Sequence, residues 1–244
     1  MRRNLSVIIA ATVSLLGVLV LIFFGYYKST NRLPAPILTS SQLQSDNNQV
    51  SKNQYPLHTN ITATTFWIGE GASGNNNFIS NTQSAWDDNW QTHYGGVDDP
   101  KNRNGFYPAG FTPQENPFYF ALPYNDFDSS GNRKPDVNKI VYWATDSSRD
   151  PAQSMLKNQW IMITKNGISA YAQWEDVGPF GENDSSYVFG NSLPQSQGNG
   201  NAGLDLSPAI QTYLNLSGED SVDWQFVKES DVPTGPWKDI ITTS

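Results

Sequence analysis

The chain has 244 residues and a net charge of −8, a balance that argues against nucleic acid and anionic polymers as partners and is compatible with neutral glycans. It contains no cysteine, which excludes disulfides, thiol nucleophiles and thiolate metal sites. Only His58 and His93 supply imidazole, so a Ser-His-Asp triad or a His-rich zinc site is nearly excluded, whereas a calcium site of Asp and Asn oxygens is not; we expect no cofactor and assign no metal ligands.

The N-terminal segment is apolar. Residues 4–27 contain no charged side chain, and this length suffices to span a bilayer as a helix. The apolar stretch is longer than that of a secretory signal and no small-residue cleavage site follows, so an uncleaved transmembrane anchor over residues 1–28 is favoured over a cleaved signal peptide. Arg2 and Arg3 favour an internal N-terminus, which predicts a single-pass membrane protein with its C-terminal domain outside the cytoplasm.

A polar segment follows the predicted anchor. Residues 29–60 are rich in Ser, Asn, Gln and Pro and poor in large apolar residues. Such a segment cannot bury enough surface to offset the entropy of ordering, which predicts a disordered tether that includes His58. The remaining residues, 61–244, are of a length that suits one domain.

The predicted domain is mostly β. Short runs rich in β-branched and aromatic residues, bounded by turn residues, are typical of strands. The pair Asn166-Gly167 between two such runs predicts a tight β-hairpin. Six strands are predicted, at residues 61–68, 117–122, 139–144, 159–164, 168–175 and 222–228.

One short helix is predicted after residue 207. Ser207 is a favourable N-cap residue and Pro208 suits the first helical position. Ile210, Tyr213 and Leu214 then recur at helical spacing, so they are expected to face a core.

Residues 69–116 form a long insertion rich in Gly, Asn and Asp. A structureless loop of this length is rare in a compact domain, so part of it must pack. We expect a short helix within residues 84–90 and a layer of aromatic side chains formed by Phe78, Trp86, Trp90, Tyr94, Phe106 and Tyr107.

Two aspartates stand at junctions between elements. Asp176 ends a predicted strand just before Gly178-Pro179, and Asp205 lies two residues before the helix cap at Ser207. Each has a structural alternative, because Asp commonly accepts bonds from backbone N–H groups in turns and at helix N-termini.

The motifs around these aspartates resemble a known family. The sequence D-V-G-P-F at 176–180 and L-D-L-S at 204–207, with A-L-P at 121–123 and T-T-F-W at 64–67, resembles the double-psi β-barrels of expansins and rare-lipoprotein-A-type lytic transglycosylases. The resemblance implies a six-stranded double-psi β-barrel with one short helix, here with a loop-rich insertion at 69–116 and a preceding transmembrane helix.

The resemblance also implies residue roles. Asp205 matches the aspartate that acts as acid and then base in the lytic transglycosylases, and Asp176 would be its neighbour, tuning its proton affinity or binding sugar hydroxyls. Glu70 lies roughly where the related endoglucanases carry their second carboxylate. The expected substrate-binding residues are this glutamate and aromatic side chains of the strands: Trp67, Trp174 and Tyr171.

The favoured function is a membrane-anchored barrel outside the cytoplasm that binds cell-wall glycan, either peptidoglycan or another β-1,4-glycan; cleavage of this glycan as a lytic transglycosylase and binding alone both stay open. The alternatives are expansin-like binding without catalysis, hydrolysis of a β-1,4-glucan, and a structural or protein-interaction barrel. A glycan site requires Asp176 and Asp205 to lie within about 8 Å of each other in an open cleft.

Overall fold

The computed structural model describes residues 55–144 and 150–243. The predicted transmembrane anchor and most of the predicted tether lie outside this part of the chain. Within it, no helix combines the length and the apolar character that crossing a membrane would require.

The described residues contain eight strands: β1 (His58–Thr65), β2 (Arg103–Asn104), β3 (Tyr107–Pro108), β4 (Tyr119–Leu122), β5 (Trp160–Lys165), β6 (Ile168–Val177), β7 (Leu204–Leu206) and β8 (Asp220–Val227). Six of them close into a barrel in the order β1-β7-β4-β6-β5-β8, while β2 and β3 pair separately. The pairs β1–β7 and β4–β6 are parallel and the other four barrel pairs are antiparallel. The predicted six-stranded, mostly β barrel is therefore confirmed.

Helices are few and short in the described ranges: α1 (Trp90–Tyr94), α2 (Val137–Ile140), α3 (Ser185–Val188) and α4 (Pro208–Leu214), with 3-10 turns at Gly74–Asn76, Glu229–Asp231 and Pro236–Lys238. Helix α4 is the predicted one. The Ser207 side chain accepts a hydrogen bond from the Ile210 backbone N–H, and Asn215 ends the helix in the left-handed conformation.

The predicted hairpin joins β5 to β6. Lys165 pairs with Ile168 across the turn, and Asn166 and Gly167 adopt φ values of 51° and 78°. Positive φ at both central residues is the requirement of a two-residue type I′ turn, which Asn-Gly meets with little strain.

The predicted strand at 139–144 is wrong. This segment begins within α2 and continues into turns, and the buried apolar residues from the start of α2 onward are Val137, Val141 and Ala144. Their spacing of four and then three residues follows a helical face rather than the alternation of a strand. The sixth barrel strand is instead β7, a three-residue element just before α4 that was not among the predicted strands.

The barrel core is built from stacked aromatic rings. Trp174 lies between Phe120 and Phe226, with ring centroids 5.9 and 5.8 Å away. His58, assigned to the tether, instead begins β1, where it is 5% exposed and stacks on Trp224 at 4.1 Å. Burial lowers the pKa of His58 to about 4, so its imidazole is neutral and packs as an aromatic ring.

The insertion packs on the outside of the barrel. Trp90 and Tyr94 of α1 join Phe66, Tyr119 and Ala121 in a second buried cluster. The predicted aromatic layer is thus present in part. Among its other expected members, Trp86 and Phe106 pack against the main core. Phe78 is 77% exposed, so the prediction that it belongs to the layer is wrong.

Candidate functional site

The barrel register places Asp176 and Asp205 on either side of Ala121. In β4, Ala121 pairs with Asp176 of β6 in one direction and with Asp205 of β7 in the other. Paired residues on neighbouring strands project to the same face, and neighbouring strands lie about 4.8 Å apart. The two Cα atoms are therefore separated by about two strand spacings, about 10 Å along the sheet, and the expected separation of about 8 Å between the two carboxyl groups stays a prediction. Both residues line one cavity of about 360 Å³.

Asp205 is partly buried and lines this cavity. Its Oδ1 accepts a short hydrogen bond from the Thr64 hydroxyl of β1. A Cβ atom at Gly178 would lie 3.2 Å from Asp205 Oδ2, so the glycine allows the chain to pass close to the carboxylate. Burial raises the pKa of Asp205 to about 6; the Thr64 bond opposes this rise, and the charge of Glu70 adds to it.

Asp176 connects the barrel to the insertion. Its side chain accepts hydrogen bonds at Oδ1 from the backbone N–H groups of Ala85 and Val177, each at 2.8 Å. Burial raises the pKa of Asp176 to about 7; the two backbone bonds oppose the rise, and the charge of Asp205 adds to it. Asp176 thus has the structural role that the sequence left open, and its carboxyl group also lines the cavity.

Glu70 brings a third carboxyl group to the same cavity. Its Oε2 accepts a hydrogen bond of 3.0 Å from the Asn81 side chain, and burial raises its pKa. Since Glu70 and Asn81 both belong to the insertion, this segment forms one wall of the cavity and the barrel strands form the other.

The aromatic residues expected to bind substrate do not line this cavity. Trp174 has no exposed surface, and its indole N–H donates to the Asp176 carbonyl at 2.7 Å, so the prediction that it stacks on a sugar is wrong. Tyr171 packs against Trp237 with ring centroids 5.0 Å apart and is likewise wrong as a cavity residue. Trp67 is half-buried and lies outside the cavity lining.

Several lining residues were not singled out from the sequence. Phe180 is 38% exposed at the cavity and is the final residue of the D-V-G-P-F motif, which was its available signal. Thr64 lies in the T-T-F-W motif but was not given a role. The insertion supplies a polar wall that no motif marked: Asn76, Ser80, Asn81, Gln83 and Ser84.

This arrangement favours proton transfer and the binding of neutral, hydroxyl-rich molecules. Three carboxyl groups face the cavity, and no Lys, Arg or His is found among its described lining residues. An acid whose pKa lies near the working pH is an efficient proton donor and acceptor. Neighbouring carboxyl groups also disfavour simultaneous ionisation, which helps one of them keep its proton.

The described residues thus form a closed six-stranded β-barrel with an acidic cavity that the insertion walls on one side. No protein-family model matches the chain, and no curated protein is significantly similar to it. Among solved structures, the Streptomyces papain inhibitor is similar at 13% identity and a TM-score of 0.30, over 71% of this chain and 96% of that chain. A similarity of this size carries no argument about function.

Proposed function

We propose that the acidic cavity binds a β-1,4-linked cell-wall glycan and that Asp205 transfers the proton that breaks a glycosidic bond. The observation that carries the proposal is the environment of Asp205: a partly buried carboxyl group with a pKa raised to about 6, held by Thr64 in a cavity with two further acids. A raised pKa keeps part of the acid protonated near neutral pH, as a general acid requires.

The proposed reaction is lytic cleavage. Protonated Asp205 donates its proton to the glycosidic oxygen as the bond to C1 breaks. The resulting carboxylate then accepts the proton of the same sugar's C6 hydroxyl as that oxygen attacks C1, which gives an anhydro sugar and restores the acid. One carboxyl group serves both steps because no water has to be activated. Glu70 and Asp176 accept hydrogen bonds from sugar hydroxyls.

The finer fold assignment supports the same function. We assign the barrel to the double-psi type because six strands close with two parallel pairs, β1–β7 and β4–β6, and the D-V-G-P-F and L-D-L-S motifs fall at the ends of β6 and in β7. The apolar segment at residues 4–27 supports placement of this domain at the outer face of a membrane, near cell-wall glycan.

Binding without cleavage is the second candidate. It is favoured by Asp176, whose Oδ1 already accepts hydrogen bonds from two backbone N–H groups, and by the insertion, which forms one wall of the cavity. An expansin-like role needs the same glycan contacts but no proton transfer.

Digestion of purified peptidoglycan sacculi distinguishes these functions. The wild-type chain is expected to release soluble anhydro-muropeptides, Asp205→Asn to release none while still sedimenting with sacculi, and Glu219→Gln, an exposed acid outside the cavity, to behave as wild type. Sedimentation of the wild type without product would establish binding alone. Neither sedimentation nor product would refute both glycan functions and leave the structural or protein-interaction role.

A further inference from the structure

A second and larger cavity, of about 1130 Å³, is lined by a different group of titratable residues. Asp87, His93 and Glu115 each present one ligand atom there, and these three atoms all lie within 4.8 Å of one another. The first two residues come from the insertion and its helix α1, and Glu115 lies just before β4. No residue of the proposed glycan site belongs to this group.

Glu115 is the unusual member of the group. The residue is 4% exposed, and neither carboxylate oxygen has a hydrogen-bond partner. Burial raises the pKa of Glu115; the nearby Trp90 opposes this rise, but its indole N–H does not reach hydrogen-bond geometry. Lys157 lines the same cavity, yet no ion pair among the described residues joins it to Glu115. A charged carboxylate buried in this way is costly unless it is paired or coordinates a metal.

The other two ligand residues are well placed. Asp87 has a side chain only 8% exposed, its Oδ1 accepts from the Asn89 backbone N–H at 2.8 Å, and its Oδ2 lies 2.7 Å from His93 Nδ1. The His93 side chain is 54% exposed, so its ring can turn. Behind them Glu175 is 1% exposed and its oxygens also lack hydrogen-bond partners, which adds a further acid close to the group.

We propose that Asp87, His93 and Glu115 bind a divalent transition-metal ion such as zinc. One imidazole nitrogen with two carboxylate oxygens suits zinc, whereas calcium and magnesium prefer oxygen ligands alone. Bonds of about 2.0–2.2 Å in tetrahedral geometry require donor atoms about 3.4 Å apart, so on binding the more widely spaced ligand atoms must approach one another and the 2.7 Å contact between Asp87 Oδ2 and His93 Nδ1 must open. The exposed His93 ring provides that movement, and three protein ligands leave a fourth position open to the cavity.

Zinc binding by the full chain, stripped with a chelator and titrated by calorimetry, tests the proposal. One zinc ion per chain is expected, with no comparable binding of calcium. His93→Ala and Glu115→Gln are each expected to weaken zinc binding at least about tenfold. Asp88→Asn removes an exposed acid of the same cavity that is not a ligand and is the matched control; its affinity is expected to match the wild type.

Thermal unfolding distinguishes a variant that has lost zinc binding from one that does not fold. Zinc is expected to raise the Tm of the wild type, and Glu115→Gln is expected to fold without zinc but to lose this increase, since the amide is isosteric with the buried acid. Absence of zinc binding, or binding unchanged in both His93→Ala and Glu115→Gln, would overturn the proposal. Asp205→Asn is expected to bind zinc normally, which separates this site from the glycan site whatever the outcome there.

Discussion

Replacing Thr64 by Val gives a direct test of how the barrel sets the acidity of Asp205. Valine keeps the shape of threonine but removes the hydroxyl that donates to Asp205 Oδ1, the contact that opposes the pKa rise caused by burial. A hydrogen bond to a charged group contributes about 1.5–3 kcal/mol. Since 1.36 kcal/mol corresponds to a tenfold change in proton affinity, Asp205 should become about a ten- to hundredfold weaker acid.

Carbon-13 NMR of the aspartate carboxyl groups as a function of pH measures this change. In Thr64→Val the titration of Asp205 is expected at higher pH than in the wild type, and any cleavage activity should extend to higher pH on its alkaline limb. Thr64→Ser keeps the hydroxyl and is expected to titrate as the wild type. An unchanged Asp205 titration in Thr64→Val would refute the role given to this hydrogen bond.

Three further substitutions test the site and its support. The pKa of Asp176 is raised to about 7 in the folded chain, against about 3.9 in the unfolded chain, so between these pH values folding takes up a proton and the free energy of unfolding falls as pH rises. In urea unfolding, the free energy of unfolding of Asp176→Asn should exceed that of the wild type by up to about 4 kcal/mol at pH 8 and match it near pH 4. An equal pH dependence in both proteins would contradict this. Gly178→Ala places a Cβ atom 3.2 Å from Asp205 Oδ2 and should reduce glycan binding. Gly181→Ala is the control and should not reduce it, because its Cβ atom lies 4.0 Å from the nearest side chain outside its chain neighbours. Equal glycan binding by the two variants would show that the close approach of the chain to Asp205 is unimportant. Ser207→Ala removes the cap of α4 and should cost about 1 kcal/mol in urea unfolding, and no loss would indicate that the cap is dispensable.

The sequence predicted correctly those elements that are determined by interactions between residues close together in the chain. Asn166-Gly167 fixed a hairpin turn because both residues tolerate positive φ, and Ser207-Pro208 marked the start of α4 because each suits its own position. The missed strand β7 is only three residues long, so it offers almost no alternation of its own. Its pairing with β1 and β4 comes from closure of the barrel, which is not a local property.

The incorrectly predicted strand at 139–144 shows how residue composition alone can mislead. Its β-branched and aromatic composition favours a strand, yet burial of Val137, Val141 and Ala144 at helical spacing is what the core selects. In this segment the composition favours a strand and the spacing of the apolar residues favours a helix, and the buried residues follow the helical spacing. Extending the segment back to Val137 would have revealed the pattern.

The sequence predicted residues of the candidate site only where a motif contained them or lay next to them. Asp176 and Asp205 were identified from the D-V-G-P-F and L-D-L-S motifs, and Glu70 from the position that the resemblance to endoglucanases implies; all three line one cavity. Trp174 was misassigned because strict alternation places it on the same face as Asp176, whereas a register shift in the β4–β6 pairing between these two residues turns Trp174 to the core and Asp176 to the cavity. The polar wall from the insertion could not be predicted, since its packing depends on long-range contacts of Trp90 and Tyr94 with Tyr119.

The most direct test of the central claim, that the cavity beside Asp205 is a glycan site, is an NMR titration of the chain with a β-1,4-linked N-acetylglucosamine tetramer. The expected result is saturable shifts confined to backbone amides around the cavity, among them Glu70, Ala85, Gly178 and Asp205. Asp205→Asn should retain these shifts, because the amide still accepts hydrogen bonds from sugar hydroxyls. Shifts elsewhere on the barrel, or none at millimolar sugar, would contradict the proposed site.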